Sequence, residues 1–541
     1  MTSSQASQQG ITDASVFQAG GKHCSCSGRN VLIRTRPPGT VATSEGLVEV
    51  EGSNSEEAAT DHSDCIGPSK VEQRPVLNMT AAWVTVFAAV CLSLTVSAQP
   101  ISSSLSSPSS GGGNLKAPSG FIKNYNGKFV ADDCTEFIFT GFDSWRLLEG
   151  AQGLGNAIPP QSLLNNQNFV DYLFNLGTSK GMTVFRMFGF GDTQDNQGGA
   201  LETSPGQYNE SVFKSFDYVL DAAARHNVKL IIALSDNWKP TDGIQTYAKA
   251  CNGGNFAGFW SSPSCLKMYQ DHVGTVLNRV NSINGLAYKS DPAVFSWNIV
   301  NEPRCALSGD TDDSCKAGIQ GFIDSMATFI KGIDKNHMVT VGEEGFFAQG
   351  DPAIAGNPSG GWAGKTGQDF RNNHMSKNID FATIHLWPDN WKDFDGGFIN
   401  NWLTSHSQVA SQLGKPLILE EFGRELDSDS DSARSTERNP TFTQVYNFVQ
   451  NSITTGGALR AAMFWEMYIR PQGAQIEGGI TSRPYGVSQW DSTFTGPTQD
   501  HANWIKSHQG QKVPGCTPGT QNGGSGTVQQ QSTPAGRRMF S

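Results

Sequence analysis

The sequence predicts an α/β fold, a (β/α)8 TIM barrel, in a single domain with disordered N- and C-terminal extensions. From residue 121 onward, short runs of β-branched and aromatic residues alternate with segments whose apolar residues recur at a helical period. Eight such runs occur in roughly 390 residues, which suits a barrel with long loops. Polar and aromatic residues follow the runs, at the face where such barrels carry their sites.

Strict alternation of strand and helix favours a closed parallel barrel over an open sheet. The predicted strands are 137–142, 183–188, 228–235, 293–300, 338–341, 381–385, 416–421 and 461–466. Helical patterns between them include 168–176, 211–226, 266–280, 318–333 and 442–449.

The composition points to a neutral polar ligand. The 39 basic and 50 acidic residues give a net charge of −11, which argues against a nucleic-acid partner. Only 16% of residues are charged, whereas the chain contains 60 Gly and 12 Trp. A weakly charged, aromatic-rich surface suits a sugar.

The first 120 residues are expected to precede the folded unit. Residues 1–78 lack a hydrophobic period and are predicted to be a disordered extension. The apolar run in 79–98 is a signal peptide or a signal anchor, with Met79 as the expected start and cleavage after Ala98. Residues 99–120 form a Ser/Gly/Pro linker.

The barrel domain is predicted to span 121–512, and 513–541 is a low-complexity tail. We expect a secreted monomer. The alternative is a type II membrane protein, which requires that the run 80–98 remains an uncleaved anchor.

Two buried strands deliver acidic residues to their C-terminal ends. The stretch 293–303, AVFSWNIVNEP, reads as a strand that stops at Glu302 because Pro303 has no N–H to continue it. The stretch 415–423, KPLILEEFG, carries Glu420 and Glu421 before it breaks at Gly423. Since parallel strands of a barrel end at one mouth, Glu302 and Glu421 are predicted to be a catalytic pair.

Other strand ends supply side chains that a sugar site uses. Indole faces stack on the C–H faces of pyranose rings, so tryptophans at these positions are candidate sugar platforms. The candidates are Arg186, Asp236, Asn237, Trp238, Asn301, Glu343, Glu344, His385, Trp387, Trp391, Trp465 and Glu466.

The motifs WNIVNEP, EEFG, DFATIHLW, FRMF, SDNW and MFWE resemble those of glycoside hydrolase family 5, and specifically its endo-β-1,4-mannanases of plant and fungal type. The likeness covers most of 121 to about 510. It implies an endo-acting retaining hydrolase of the β-1,4 bonds in mannan, glucomannan or galactomannan, with no metal and no organic cofactor. The implied partner is a polysaccharide of the β-mannan type.

The resemblance also implies residue roles. Glu302 would be the acid/base and Glu421 the nucleophile, which is the pairing that double displacement requires. By the same likeness Asn301 would hold the substrate 2-hydroxyl, Arg186 would bond the nucleophile, His385 would line the site and Trp465 would stack under the sugar next to the scissile bond. Trp238 and Trp387 are substrate-binding candidates by their position at strand ends, and Trp145 is the candidate for a distal subsite. We expect Arg186 to keep Glu421 ionised and burial to raise the pKa of Glu302.

Two positions depart from the family pattern. Trp387 stands where the family usually has a tyrosine whose hydroxyl bonds the nucleophile, and the indole N–H is a candidate for the same bond. The chain has Asp143, Ser144, Trp145 and Arg146 where the family commonly has Asn-Ser-Tyr-Trp.

Six cysteines follow the linker, an even set that suits disulfides in an oxidising compartment. We expect the pairs Cys305–Cys315, Cys251–Cys265 and Cys134–Cys516, with free buried thiols as the alternative.

Other functions stay open at this point. An endo-β-1,4-glucanase or a transglycosylase would use the same fold, and a non-catalytic carbohydrate-binding wall protein would keep the barrel without turnover. The preference for mannan rests on the resemblance alone.

Overall fold

A computed structural model describes residues 115–154, 166–191, 199–238, 243–306, 312–391, 396–470 and 484–518. The predicted extension 1–78, the apolar run 79–98, most of the linker and most of the tail lie outside the described residues. Within the described part of the chain, every helix is too short or too polar to cross a membrane.

Eight parallel strands form the central barrel, as predicted. They are β1 (Gly141–Asp143), β2 (Val184–Phe188), β3 (Lys229–Ala233), β4 (Val294–Asn298), β5 (Met338–Thr340), β6 (Ala382–Leu386), β7 (Leu417–Phe422) and β8 (Leu459–Phe464). Their order in the sheet is β6-β7-β8-β1-β2-β3-β4-β5. Backbone hydrogen bonds from Asp380 N to Val339 O (2.8 Å) and from His385 N to Glu344 O (3.0 Å) join β5 to β6, so the barrel closes.

The first strand begins later than the sequence predicts. Phe137 and Phe139 belong to the apolar cluster that fills the N-terminal end of the barrel. The strand therefore begins at Gly141 rather than at residue 137. A Cβ on Gly141 would lie 1.7 Å from the carbonyl oxygen of Val184, which explains why a glycine opens β1 where it meets β2.

Twelve α-helical segments surround the strands in the described residues, and several cover the predicted helical patterns. They are α1 (Leu147–Gln152), α2 (Asn166–Ser179), α3 (Glu210–His226), α4 (Ile244–Asn252), α5 (Phe256–Phe259), α6 (Pro263–Asn278), α7 (Lys316–Ile333), α8 (Phe370–Met375), α9 (Gly396–Leu413), α10 (Asp431–Ala433), α11 (Asn439–Thr455) and α12 (Gln499–Ser507). Three further two-stranded sheets lie outside the barrel in the described residues. Two are antiparallel and pair Lys123–Tyr125 with Lys128–Val130 and Glu202–Ser204 with Gln207–Tyr208. The third is parallel and pairs Met467–Tyr468 with Val487–Ser488.

Two apolar layers hold the fold together. The larger lies between strands and helices and includes Phe185 and Met187 of β2. The smaller fills the barrel's lower interior, where Val184 of β2 meets Phe129 of the N-terminal hairpin and Phe295 of β4. Because this plug closes the N-terminal end, an open cleft can form only at the C-terminal ends of the strands.

All three expected disulfides are present. Cys134 bonds Cys516 across 382 residues and ties the two ends of the domain together. The other two, Cys251–Cys265 and Cys305–Cys315, close short loops, the second directly after Glu302.

Candidate active site

The side chains of β2 show how the barrel interior changes from apolar to ionic along one strand. Val184 packs into the plug, whereas Arg186, two residues further on, faces the same interior nearer the mouth. The alternation of a strand places residues i and i+2 on one face. Arg186 is fully buried and is the central cation of the site.

A bulge brings two consecutive glutamates of β7 into the site. The pairing of β7 with β8 shifts register between Leu419 and Phe422. Such an irregularity re-aims a side chain that would otherwise face outward. Glu420 therefore accepts a hydrogen bond from Asn298 Nδ2 (3.0 Å) in the barrel interior. Glu421, the next residue, lines the cleft.

Glu302 lies just beyond β4 in a strained backbone conformation. Its φ is +49°, which is uncommon for a residue other than glycine. Hydrogen bonds hold the segment on both sides: Asn301 N donates to Ser235 O (2.8 Å), and Glu302 N donates to Gly342 O (2.7 Å). The neighbouring strand ends therefore fix the direction of the Glu302 carboxylate.

The two predicted catalytic carboxylates meet across the mouth of the barrel. One oxygen of Glu302, one of Glu421 and one ring nitrogen of His385 all lie within 4.8 Å of one another. His385 Nδ1 donates to Glu302 Oε1 (2.6 Å) and stands 3.5 Å from Glu421 Oε2. The imidazole thus bridges the pair.

Arg186 joins Glu421 to the rest of the buried network. Its Nη1 donates to Glu421 Oε1 and to Asp143 Oδ1 (3.0 Å). Its Nη2 donates to Asn301 Oδ1 (2.6 Å), and its Nε lies 3.5 Å from Glu420. The guanidinium therefore orients both the candidate nucleophile and the amide beside Glu302.

An indole and a guanidinium hold Glu302 from the opposite side. Trp238 Nε1 donates to Glu302 Oε2 at 2.5 Å. The Arg304 guanidinium lies 5.1 Å from the centre of the Trp238 ring and donates to Glu344 through Nε (2.8 Å). Both oxygens of Glu302 consequently have a hydrogen-bond donor.

These groups open into a cleft of about 510 Å³ with aromatic walls. Trp145 and Trp465 stack with planes 10° apart, and Trp145 Nε1 donates to Glu466. The peptide bond between Trp465 and Glu466 is cis. The cleft is lined by Trp145, Phe188, Asp236, Trp238, Asn301, Glu302, Arg304, Glu344, Trp387, Asn390, Trp391, Glu421, Trp465 and Tyr485.

Trp387 lines the cleft as a packing residue. Its ring lies edge-on to Tyr485 at 4.9 Å and to Trp465 at 6.2 Å. A Cβ on Gly423 would lie 2.8 Å from the Trp387 ring, so the glycine after β7 makes room for the larger side chain. Among the bonds described for Glu421, the donor is Arg186 rather than the Trp387 indole.

The pKa directions of the pair are the reverse of those expected from the sequence. Burial acts to raise the pKa of Glu302, but the hydrogen bond and charge of His385, the Arg304 charge and the Trp238 bond outweigh it, so the pKa is lowered. Burial raises the pKa of Glu421 to about 7. The negative charge of Glu302 also raises this pKa, whereas the positive charges of His385 and Arg186 lower it without cancelling the effect of burial. The expectation was wrong because the sequence did not place His385 on Glu302.

His385 and Asp143 complete the electrostatics. Burial acts to lower the pKa of His385, but the carboxylates of Glu421, Glu302 and Glu420 raise it to about 10. Burial raises the pKa of Asp143 well above its usual range despite the neighbouring Arg186 charge. The carboxylates thus favour the cationic form of the imidazole, and burial favours the protonated form of Asp143.

Glu302, His385 and Glu421 are also the group of donors, among the described residues, whose spacing would fit a metal ion. Hydrogen bonds already join these groups, from His385 Nδ1 to Glu302 Oε1 (2.6 Å) and from Arg186 to Glu421.

The sequence missed some lining residues and placed one strand-end residue incorrectly. Arg304 had a usable signal, because it stands two residues after Glu302 in the same motif. No sequence signal pointed to Tyr485, because it lies about twenty residues beyond the last strand of the barrel. Of the two glutamates after β5, Glu344 lines the cleft, whereas Glu343 is fully buried and accepts a bond from Asn373 of α8 (2.6 Å).

Known proteins share this fold and sequence pattern. A family model described as "GH family 5 beta-mannosidase-like" matches residues 119–475. Mannan endo-1,4-beta-mannosidase 1 of Oryza sativa subsp. japonica is 35% identical over 365 residues, covering 65% of this chain and 79% of that protein. Its namesake from Arabidopsis thaliana is 35% identical over 309 residues, covering 55% of this chain and 72% of that protein.

Solved structures agree with these relatives. The endo-1,4-beta-mannanase from Rhizomucor miehei superposes with a TM-score of 0.58 at 25% identity, covering 72% of this chain and 100% of that one. The endo-beta-1,4-mannanase from Thermotoga petrophila, at 24% identity and a TM-score of 0.55, covers 68% of this chain and 77% of that one and supports the fold. The chain belongs to glycoside hydrolase family 5, among its β-mannosidase-like members.

Proposed function

We propose that this protein is an endo-acting retaining glycoside hydrolase that cleaves internal β-1,4-mannosidic bonds of mannan, glucomannan or galactomannan. Family membership supports the reaction class, and the names of the plant and fungal relatives support the substrate. The cleft supports a sugar polymer, because seven of its fourteen lining residues are aromatic and can stack on pyranose rings.

The spacing of the two carboxylates carries the proposal. Retaining enzymes hold their carboxyl groups about 5–5.5 Å apart, whereas inverting enzymes need about 6.5–9.5 Å to admit a water molecule between them. Oxygens of Glu302 and Glu421 approach within 4.8 Å. This separation suits direct attack by a carboxylate on the sugar.

In the first step, the Glu421 carboxylate attacks the anomeric carbon while the bond from that carbon to the leaving oxygen breaks. Glu302 donates its proton to the leaving oxygen, so the departing chain ends in a neutral hydroxyl. In the second step, Glu302 removes a proton from water, and the hydroxide displaces Glu421 from the anomeric carbon. Two displacements return the β configuration.

The first step requires one proton on the pair, held by Glu302, whereas the second begins with Glu302 ionised and Glu421 bonded to the sugar. In the empty cleft, the raised pKa of Glu421 and the lowered pKa of Glu302 favour Glu421 as the holder of the proton. His385 Nδ1 lies 2.6 Å from Glu302 and 3.5 Å from Glu421, so it can pass a proton to the first and accept one from the second. This transfer makes the nucleophile ionised and the acid protonated without a change in net charge.

Other residues take positions around these steps. Arg186 donates to Glu421 and Asn301, which supports its role as the group that orients the nucleophile and the amide. Asn301, whose Nδ2 donates to Asp236 (2.8 Å), is placed to bind the sugar 2-hydroxyl. Trp465, beside Glu421 in the cleft wall, is the floor for the sugar at the scissile bond.

We also propose that the protein acts outside the cell as a monomer on a polysaccharide partner. Three disulfides support an oxidising compartment. Whether the run 79–98 is cleaved or retained as an anchor is decided by N-terminal sequencing of the secreted or membrane-bound protein.

The test compares purified mannan, glucomannan and cellulose as substrates. We expect a rapid fall in mannan viscosity with little reducing sugar, as endo cleavage requires, and NMR detection of the β anomer as the first product. Glu302→Gln and Glu421→Gln each remove most activity, whereas Glu210→Gln, on the outer surface in α3, does not. Cleavage of cellulose without mannan, or an α anomer as first product, contradicts the proposal.

A further inference from the structure

Trp490 is an exposed indole outside the cleft. Its exposed fraction is 43%, and it is the one aromatic side chain among the exposed large apolar residues of the described chain. Water around such a ring is released when a sugar face covers it, which makes an exposed indole a favourable stacking surface.

Hydrogen bonds fix the orientation of this indole. Trp490 Nε1 donates to the carbonyl oxygen of Arg470 at 2.9 Å. Gln489 Nε2 donates to the same oxygen at 2.7 Å. The Arg470 guanidinium is itself held by Asp429 (2.7 Å) and Asp491 (3.1 Å). A ring with a fixed orientation loses little conformational entropy when a ligand stacks on it.

Trp490 belongs to an extension of β8. The segment Met467–Tyr468, which directly follows Trp465 and Glu466, pairs with Val487–Ser488, and Trp490 comes two residues later. The same short ladder therefore connects the proposed sugar floor in the cleft with the exposed indole.

The order of strands places this extension across the mouth of the barrel from the proposed acid. In an eight-stranded barrel β4 and β8 lie opposite each other, and this sheet has that order. Glu302 follows β4 whereas the extension follows β8, so the two stand on opposite sides of the cleft.

We infer that Trp490 is a second sugar platform, which stacks a pyranose ring of the polymer outside the cleft, on the β8 side of its mouth. The ligand class is a neutral β-linked polysaccharide, since the platform consists of an indole with a buried amide neighbour, Gln489. The inference rests on the proposed function and adds a distal site to it.

The test measures kcat/KM of Trp490→Ala on mannooligosaccharides of increasing length. We expect a loss of about three- to tenfold for mannohexaose and mannan, the size of one lost aromatic contact, and less than a twofold change for the shortest oligosaccharide cleaved. Trp490→Phe restores most of the long-chain rate. Trp504→Ala is the matched control, because Trp504 lies in α12, whose first residue, Gln499, donates to the carbonyl oxygen of Lys180 before β2, at the opposite end of the barrel.

A binding measurement separates this inference from the proposed function. In a Glu421→Gln background, calorimetric titration with mannohexaose should give a weaker affinity when Trp490 is also replaced by Ala. The inference about Trp490 is wrong if Trp490→Ala lowers kcat/KM equally at all chain lengths, or does not lower it at any length. A wild-type protein that cleaves no mannan and does not bind mannohexaose overturns the proposed function instead.

Discussion

Replacing each glutamate of the proposed catalytic pair, Glu302 and Glu421, by glutamine tests where the proton of the pair resides. The pKa of Glu421 is raised from 4.5 to about 7, so the folded protein binds this proton more tightly than the unfolded chain does. That contribution to stability is fully present below pH 4.5 and is lost as the pH rises through 7. The difference in pKa corresponds to about 3 kcal/mol of unfolding free energy.

Glu421→Gln cannot ionise and therefore does not lose this contribution. We expect its unfolding free energy relative to wild type to increase by about 3 kcal/mol between pH 4.5 and pH 8. Comparing the two pH values cancels effects of the amide that do not depend on pH. Arg186 keeps Glu420 near its Nε and Asp143 as a hydrogen-bond acceptor in this variant, so the guanidinium remains held.

Glu302→Gln is the matched control with the opposite sign. The pKa of Glu302 is lowered, so its ionised form stabilises the fold at pH values above the unfolded pKa and that stability is lost in acid. The stability of this variant relative to wild type should therefore fall as the pH rises from acid to about 4.5, and should change little between pH 4.5 and pH 8. Equilibrium urea unfolding, followed by tryptophan fluorescence, measures both variants. If Glu302→Gln gains and Glu421→Gln loses, the proton resides on Glu302 and the reasoning is refuted.

Three further perturbations have defined outcomes. Arg186→Lys removes the guanidinium fork from a buried carboxylate network and should lower kcat at least 100-fold and cost about 3–5 kcal/mol, measured by kinetics and unfolding. Removal of the Cys134–Cys516 disulfide, which spans 382 residues, should cost about 6 kcal/mol, against about 3 kcal/mol for the short loop after Glu302, in urea unfolding. Trp387→Tyr adds a hydroxyl donor beside the nucleophile and should lower the pKa assigned to it in the pH profile of kcat/KM, whereas Phe should not.

The barrel was predictable from the sequence because its signals are local. Each strand is a short apolar run that ends in a polar residue, and the run before Glu302 stops at Pro303 for a reason that needs no tertiary information. The meeting of Glu302 and Glu421 followed from the rule that parallel strands end at one mouth. The disulfide pairs were likewise confirmed by the structure.

The electrostatics of the pair were not predictable, because they depend on which side chains touch. The contact of His385 with Glu302 and the bulge that turns Glu421 into the cleft are both irregularities of strand register. A strict alternation along β7 would place either Glu420 or Glu421 inside, but not both. Register shifts have no sequence signature here, so the order of the two pKa values was predicted incorrectly.

The bulge has a chemical consequence that links the fold to the proposed reaction. The register shift places the carboxyl groups of Glu420 and Glu421 beside Arg186 and His385, which supply the positive charge that an ionised Glu421 needs. When Glu302 holds the proton of the pair, the negative charge lies on Glu421. The field of the site thus becomes most negative beside the anomeric carbon at the moment when that carbon develops positive charge. An interaction that strengthens only in the transition state raises the rate rather than the affinity for the substrate.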